Sequence, residues 1–303
     1  MTSGATITAA MEQGDHVANL NGLQAWFKVR GSGPVCLFPT PGWGASSDLY
    51  FETLKPLEHW FTMVYLDTRG CGRSALGLPD EAYRLTAFMS DLEELRKLLG
   101  EEKVWVMGHS LGGWLAQEFA VRHSRSCAGL VLLNSTAAVD AEGRADQEAR
   151  IARRAGEPWF PAAYEALRSD EDIGSDAEFK AHLGKILPFY FHDVSKYEPE
   201  AFASETYAVE AYTTMVINED ELQRGALDRL HQLDVPAVIV VGDDDFICSP
   251  VQAMRIHLRL PGSKLIVVPE SGHFPWLEQP DAFFSNLEAA LQHVAAFSAE
   301  LPA

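Results

Sequence analysis

Between about residue 20 and residue 135, short apolar runs rich in β-branched residues alternate with stretches of helical period. This is the pattern of βαβ units wound around a parallel sheet. Val35-Cys36-Leu37-Phe38, Met63-Val64-Tyr65-Leu66, Val104-Trp105-Val106-Met107 and Leu130-Val131-Leu132-Leu133 are each apolar without alternation and bounded by turn residues. They predict strands covered on both faces. Met89, Leu92, Leu95, Leu98 and Leu99 recur at helical spacing before Gly100, which predicts a helix closed by a glycine. After Thr136 the pattern changes. From Asp140 to Arg224 no strong strand stands out, and helical stretches are interrupted by Pro158, Pro161, Pro188 and Pro199. Strand pattern returns at Ala237-Val238-Ile239-Val240-Val241 and Leu265-Ile266-Val267-Val268, and a last helix is predicted from about Asp281. The reading is an α/β core, residues 1–135 and 226–303, split by a helical insertion at 136–225.

Composition narrows the partners. The chain has 303 residues, 47% hydrophobic and 22% charged, within the range of ordinary globular proteins. A net charge of -19 repels phosphate backbones and anionic headgroups, so neither nucleic acid nor a membrane surface is an expected partner. No run approaches the ~18 apolar residues that cross a bilayer. The first residues, with Glu12 and Asp15 already present, are read as carrying no secretory signal. Cys36, Cys71, Cys127 and Cys248 form no CxxC pair, so no zinc site or disulfide framework is expected, and free thiols in a reducing cytoplasm are the reading. A homodimer is left open.

The chemistry gathers around Gly108-His109-Ser110-Leu111-Gly112. A predicted strand precedes this segment and a predicted helix follows it, the context that a nucleophile elbow demands. The glycines permit a sharp turn with a strained backbone at the serine, which projects at the top of the sheet. A serine hydroxyl needs a base, and the base needs a carboxylate to orient it. Of the ten histidines, His273 alone combines a position after the nucleophile and an acid with a place just beyond a strand, in Ser271-Gly272-His273. The acid falls in Gly242-Asp243-Asp244-Asp245, beyond the preceding strand, where open α/β sheets place their sites. On the residues alone all three aspartates stay open.

Together with Asp67-Thr68-Arg69-Gly70-Cys71-Gly72-Arg73-Ser74, these motifs make residues 20–295 resemble the α/β-hydrolase family, in particular its proline iminopeptidase-like branch. The resemblance implies an α/β-hydrolase fold with a mostly parallel sheet and an inserted helical cap at 136–225. It implies a triad of Ser110, Asp245 and His273, because the family's acid lies three residues after the glycine that ends its strand. It makes the Asp67–Ser74 loop structural. The family's usual His-Gly-Gly-Pro-Gly is replaced here by Pro39-Thr40-Pro41-Gly42-Trp43-Gly44. Proline has no N–H to offer an oxyanion, so the alignment that puts Gly42 at the donor position is preferred, with Leu111 as the second donor. This departure, and Leu111 where those peptidases have Trp, weaken a claim to iminopeptidase activity.

The expected reaction is therefore cleavage of a small ester, lactone or amide through an acyl-enzyme, with no cofactor and no metal. Trp43 and Trp114 are candidates for the acyl pocket, against a reading as core. Glu205, Tyr207 and Glu210 are candidates for substrate contact, the two acids toward an amine, against a reading as a solvated helix face. Trp159, Phe160, Tyr164, Phe189, Tyr190, Phe191 and Tyr212 could furnish an aromatic pocket, with packing as the alternative. The competing functions are an iminopeptidase-like aminopeptidase, a lyase or cyclase using the same residues, and a non-catalytic ligand-binding protein.

Overall fold

The computed structural model describes residues 11–42, 44–136, 138–169, 173–217 and 225–300. One eight-stranded sheet has the order β1-β2-β4-β3-β5-β6-β7-β8, with β1 Gly14–Leu20, β2 Leu23–Gly31, β3 Val35–Pro39, β4 Thr62–Asp67, β5 Val104–His109, β6 Cys127–Leu133, β7 Ala237–Gly242 and β8 Lys264–Val268. From β4 through β8 every pairing is parallel, while β1 and β2 run antiparallel to their neighbours. The predicted strands all form. The β1–β2 hairpin was not among them. Its first strand alternates between half-buried and exposed positions, so it lacks the unbroken apolar run that marks a strand covered on both faces.

Successive residues of a strand face opposite sides of the sheet, and the core divides accordingly. In β4, Val64 and Leu66 join one apolar cluster while Met63 and Tyr65 join the other; in β7, Ile239 and Val241 oppose Val238 and Val240. The first cluster is covered by α2 (Leu85–Leu98), α3 (Leu111–Arg122) and α8 (Pro250–Arg259), the second by α1 (Asp48–Thr53) and α10 (Pro280–Glu300). Helix α2 begins four residues before the predicted start, because Leu85 and Phe88 also bury on its inner face. Between β6 and β7 lie α4 (Ala141–Arg153), α5 (Phe160–Leu167), α6 (Asp176–Ile186) and α7 (Val209–Ile217), with no strand among the described residues. Phe179, Leu183 and Ile186 of α6 pack into the second cluster, on the face that carries α1. The short helix α9 (Pro275–Glu278) precedes α10. No helix among the described residues is long and apolar enough to cross a membrane, and all four cysteines are buried free thiols.

The loop after β4 is a polar knot. Asp67 is fully buried; one carboxylate oxygen accepts from the Ser47 N–H and hydroxyl, the other from the Arg73 N–H and Nε. Arg69 makes a two-pronged bond to Asp91 of α2, both contacts 2.8 Å. The loop thus ties β4 to α1 and α2 near the sheet edge that carries Ser110. Removing the Asp67 carboxylate leaves both Ser47 donors unpaired in a buried setting and frees the more exposed Arg73, which costs more than losing one exposed pair. Asp67→Ala should lower stability by about 3 kcal/mol, read from urea unfolding midpoints; a loss below about 1 kcal/mol would show that the knot is dispensable.

Candidate active site

Because β5, β6, β7 and β8 are neighbours in parallel register, the turns that follow them meet at one sheet edge. Each delivers one polar side chain: Ser110 after β5, Asn134 after β6, Asp245 after β7 and His273 after β8.

Ser110 sits between the last residue of β5 and the first of α3, with φ 54° and ψ -123°, a conformation that a side chain adopts only under strain. Glycine makes it sterically accessible. A Cβ on Gly108 would strike the main chain of Gly112, and one on Gly112 would lie 2.7 Å from the carbonyl oxygen of Pro39. The Ser110 N–H holds the turn by donating to the carbonyls of Leu133 and Asn134, each at 3.1 Å. Leu111 N–H opens α3, where the first amides have no acceptor within the helix. Gly42 faces it: a Cβ there would touch the Leu111 side chain at 3.5 Å.

Asp245 and His273 are joined. His273 Nδ1 lies 2.7 Å from Asp245 Oδ2, and a carboxylate oxygen can only accept, so Nδ1 carries the proton. Asp245 Oδ2 also accepts from Asn134 Nδ2 at 2.8 Å, and Oδ1 accepts from the N–H groups of Ile247 and Cys248, both at 3.0 Å. Burial by itself would raise the pKa of this fully buried acid, but the charge and hydrogen bond of His273, then the bonds from Asn134 and the Cys248 main chain, hold it below the ordinary aspartate value. The two neighbouring acids point elsewhere. Asp244 pairs with Arg154 and with His192 Nδ1, and Asp243 accepts from the Ser271 N–H at 3.3 Å.

Close backbone approach sets the His273 turn. A Cβ on Gly242 would collide with the carbonyls of Ser271 and Gly272, so glycine lets β7 and the turn after β8 touch. The His273 N–H donates to the Tyr190 carbonyl at 2.7 Å. Glu278 of α9 accepts from the Gly272 N–H at 2.6 Å and the Asp193 N–H at 2.9 Å, pinning the turn to the segment between α6 and α7.

His109 lies beneath, its ring centroid 4.4 Å from that of His273. Its Nε2 is 3.0 Å from the His273 carbonyl oxygen and its Nδ1 2.8 Å from the Tyr50 hydroxyl. The carbonyl must accept, so Nε2 carries the proton and Nδ1 takes the Tyr50 hydrogen. Burial, with the nearby His273 as a second cause, pushes the His109 pKa well below the usual value, which keeps the ring neutral. The Cys248 thiol is also buried beside Ser110. Burial, then the Asp245 carboxylate, pushes its pKa well above the usual range against a hydrogen bond from Ser110, so it stays a thiol and not a thiolate.

A narrow cavity opens on Ser110 and His273, and Pro41, Gly42, Leu49, Tyr50, Phe202, Glu205 and Phe274 are among its walls. A model of the alpha/beta hydrolase fold matches residues 34–280. The chain belongs to the alpha/beta hydrolase fold family. The hydrolase is 26% identical to a proline iminopeptidase of Clostridioides difficile over 282 residues, 88% of this chain and 94% of that protein. Its fold matches that of an alpha/beta fold family hydrolase from Bacillus anthracis with a TM-score of 0.73 at 20% identity, covering 91% of this chain and 98% of the other. An enol-lactonase from Burkholderia xenovorans matches with a TM-score of 0.69 at 19% identity, covering 91% of this chain and all of the other. Within the family the likeness runs to the proline iminopeptidase-like branch, as the motifs imply, and the chain is an enzyme of the hydrolase class.

The sequence candidates divide. Ser110, His273, Asp245, Leu111 and Gly42 gather at one edge. Glu205 is buried at the cavity wall, and the hydroxyl of the buried Tyr207 donates to it at 2.9 Å. Glu210 is exposed in the first turn of α7, so the two acids do not form a pair. Trp114 packs in the apolar cluster of the opposite sheet face and not in the cavity wall, because the third residue after Leu111 turns toward the sheet. Trp43 lies outside the described residues. Tyr190 stacks edgewise on His273 with ring centroids 5.3 Å apart; most of the other aromatic candidates between β6 and β7 pack on one another. Asn134, His109, Tyr50, Phe202 and Glu278 were not singled out. His109 and Asn134 carried a signal, a polar residue at the end of a buried strand and one just beyond another.

His109 supplies a pH test. Its folded pKa lies below its unfolded one, so the folded state binds fewer protons and stability, full above about pH 6.5, falls as the pH drops toward the folded value. Denaturant midpoints of the wild type at pH 7 and pH 5 should differ more than those of His109→Gln, by up to about 2 kcal/mol. Equal differences in the two proteins would mean that His109 is not held neutral.

Proposed function

We propose that the hydrolase cleaves a small carbonyl substrate, an ester, lactone or amide, by acyl transfer to water through Ser110, His273 and Asp245. The support is one observation above all: a buried, singly oriented imidazole bonded to an ionised carboxylate at the wall of the cavity that the elbow serine also lines. Nδ1 of His273 is committed to Asp245, which leaves Nε2 as the base for the Ser110 hydroxyl. Attack on the carbonyl carbon converts its oxygen to an oxyanion, and the N–H groups of Leu111 and Gly42 are the donors for it. The imidazolium formed is stabilised by Asp245 and gives its proton to the leaving group. His273 then deprotonates the water that releases the acid and restores Ser110. Asn134 and Glu278 act as positioning residues, the first on Asp245 and the second on the turn of His273.

The likeness to a proline iminopeptidase raises a second reading, in which Glu205 receives a substrate ammonium. The carboxyl is buried, and burial raises its pKa to about 8, which works against a resident carboxylate. The ester or lactone reading is the stronger. Ser110→Ala should lose at least about 1,000-fold in kcat on p-nitrophenyl esters while keeping its circular dichroism spectrum. Turnover undiminished in that variant would refute the mechanism, and faster wild-type cleavage of proline p-nitroanilide than of the esters would move the assignment to the peptidase.

A further inference from the structure

Among the described residues that wall the Ser110 cavity, Glu205 is the only acid. The residue is 3% exposed. One carboxyl oxygen accepts the Tyr207 hydroxyl at 2.9 Å, and the other is buried without a hydrogen-bond partner. An orphaned polar atom in a buried place is costly unless a ligand or a proton completes it.

The surrounding charges do not complete it. Lys180 of α6 gives its ammonium to the main-chain carbonyls of Ala203 and Glu205, at 3.1 and 2.9 Å, not to the carboxyl. Asp48 at the start of α1 adds a repelling negative charge. The Tyr50 hydroxyl is given to His109, and His109 is neutral. His273, across the cavity, is engaged by Asp245. Against burial stand the Tyr207 hydrogen bond, the nearby Leu49 main chain and the weaker pull of Lys180, and burial prevails. At neutral pH the group is therefore a carboxylic acid with an O–H to give, among the apolar walls of Leu49, Phe202 and Phe274.

We propose that Glu205 is a specificity residue which, as a neutral acid, donates a hydrogen bond to an uncharged oxygen of the substrate away from the scissile carbonyl. The site then selects neutral acyl groups or lactones bearing an ether, carbonyl or hydroxyl oxygen, over both plain alkyl and ammonium-bearing acyl groups. This rests on the reading of Ser110 as the nucleophile. The pH sense follows: ionisation on passing about pH 8 removes the donor, so discrimination fades as the pH rises.

The test pairs p-nitrophenyl methoxyacetate with the butyrate, and the methoxypropionate with the valerate, each differing by an oxygen in place of a methylene. The β-alanine ester supplies an ammonium. Ratios are taken relative to Glu205→Leu, which cancels intrinsic reactivity. The wild type should favour an ether ester about tenfold in kcat/KM, mostly through KM, at pH 7 and lose that preference by pH 9.5. Glu205→Gln, whose amide donates and does not titrate, should keep it at both pH values. An ether preference equal in wild type and Glu205→Leu would overturn the proposal, as would wild-type preference for the ammonium ester abolished in Glu205→Gln. A Ser110→Ala control separates the failures: if it is inert the nucleophile stands and only the Glu205 assignment falls, and if it is active the underlying reading falls first.

Discussion

The site depends on how closely backbones approach at the turn after β5. Ser110 holds its strained conformation only because Gly108 and Gly112 leave the main chain of β5, the start of α3 and the carbonyl of Pro39 in contact. The same closeness lets the Ser110 N–H bond across to the end of β6, so the elbow, the Asn134 turn and the loop carrying Gly42 form one packed unit. A side chain larger than hydrogen at either glycine would push these apart. Strain at Ser110 is affordable because strands on both sides of β5 are fixed by their ladders.

Burial is the common electrostatic force here, and the number of donors decides what it does. Asp245 and Glu205 are both acids withdrawn from water. Asp245 has four hydrogen-bond donors, one of them His273, and stays ionised; Glu205 has one side-chain donor, and burial prevails. Glu278 accepts two main-chain N–H groups and still has its pKa raised by burial. His109, placed between a carbonyl and a hydroxyl, meets both as a neutral ring. The cavity is thus walled by His273, whose Nδ1 is committed to the buried Asp245 carboxylate behind it, and mostly by apolar or uncharged groups.

The strands of the core were legible because a run covered on both faces must be apolar throughout, as in β6 and β7. The β1–β2 hairpin was not, since its half-exposed faces mix polar and apolar residues. The elbow was legible because a strand, two spaced glycines and a helix are all local features. His273 could be found from its order and its strand end. The choice of Asp245 over Asp243 and Asp244 needed a family likeness at the level of sequence. In space Asp245 bonds to His273, while Asp244 turns to Arg154 and Asp243 to the Ser271 main chain. For Trp114 and Glu210 the sequence offered two readings each, and helix phase decides them: Trp114 turns into the core and Glu210 to solvent.

What the amino-acid sequence determined by itself was the class of fold and the candidates for the site, because hydrophobic period and glycine placement act over a few residues and each leaves a mark within a short window. What only the tertiary structure decided was the company those candidates keep. Asn134 reaches Asp245 across 111 positions of chain and His109 reaches the His273 carbonyl across 164. Glu205 shares a cavity with Ser110 only because the segment that carries it, between β6 and β7, packs near that sheet edge. Contacts of that kind depend on how distant segments pack, and desolvation, which sets the protonation of Glu205 and His109, exists only once they have packed.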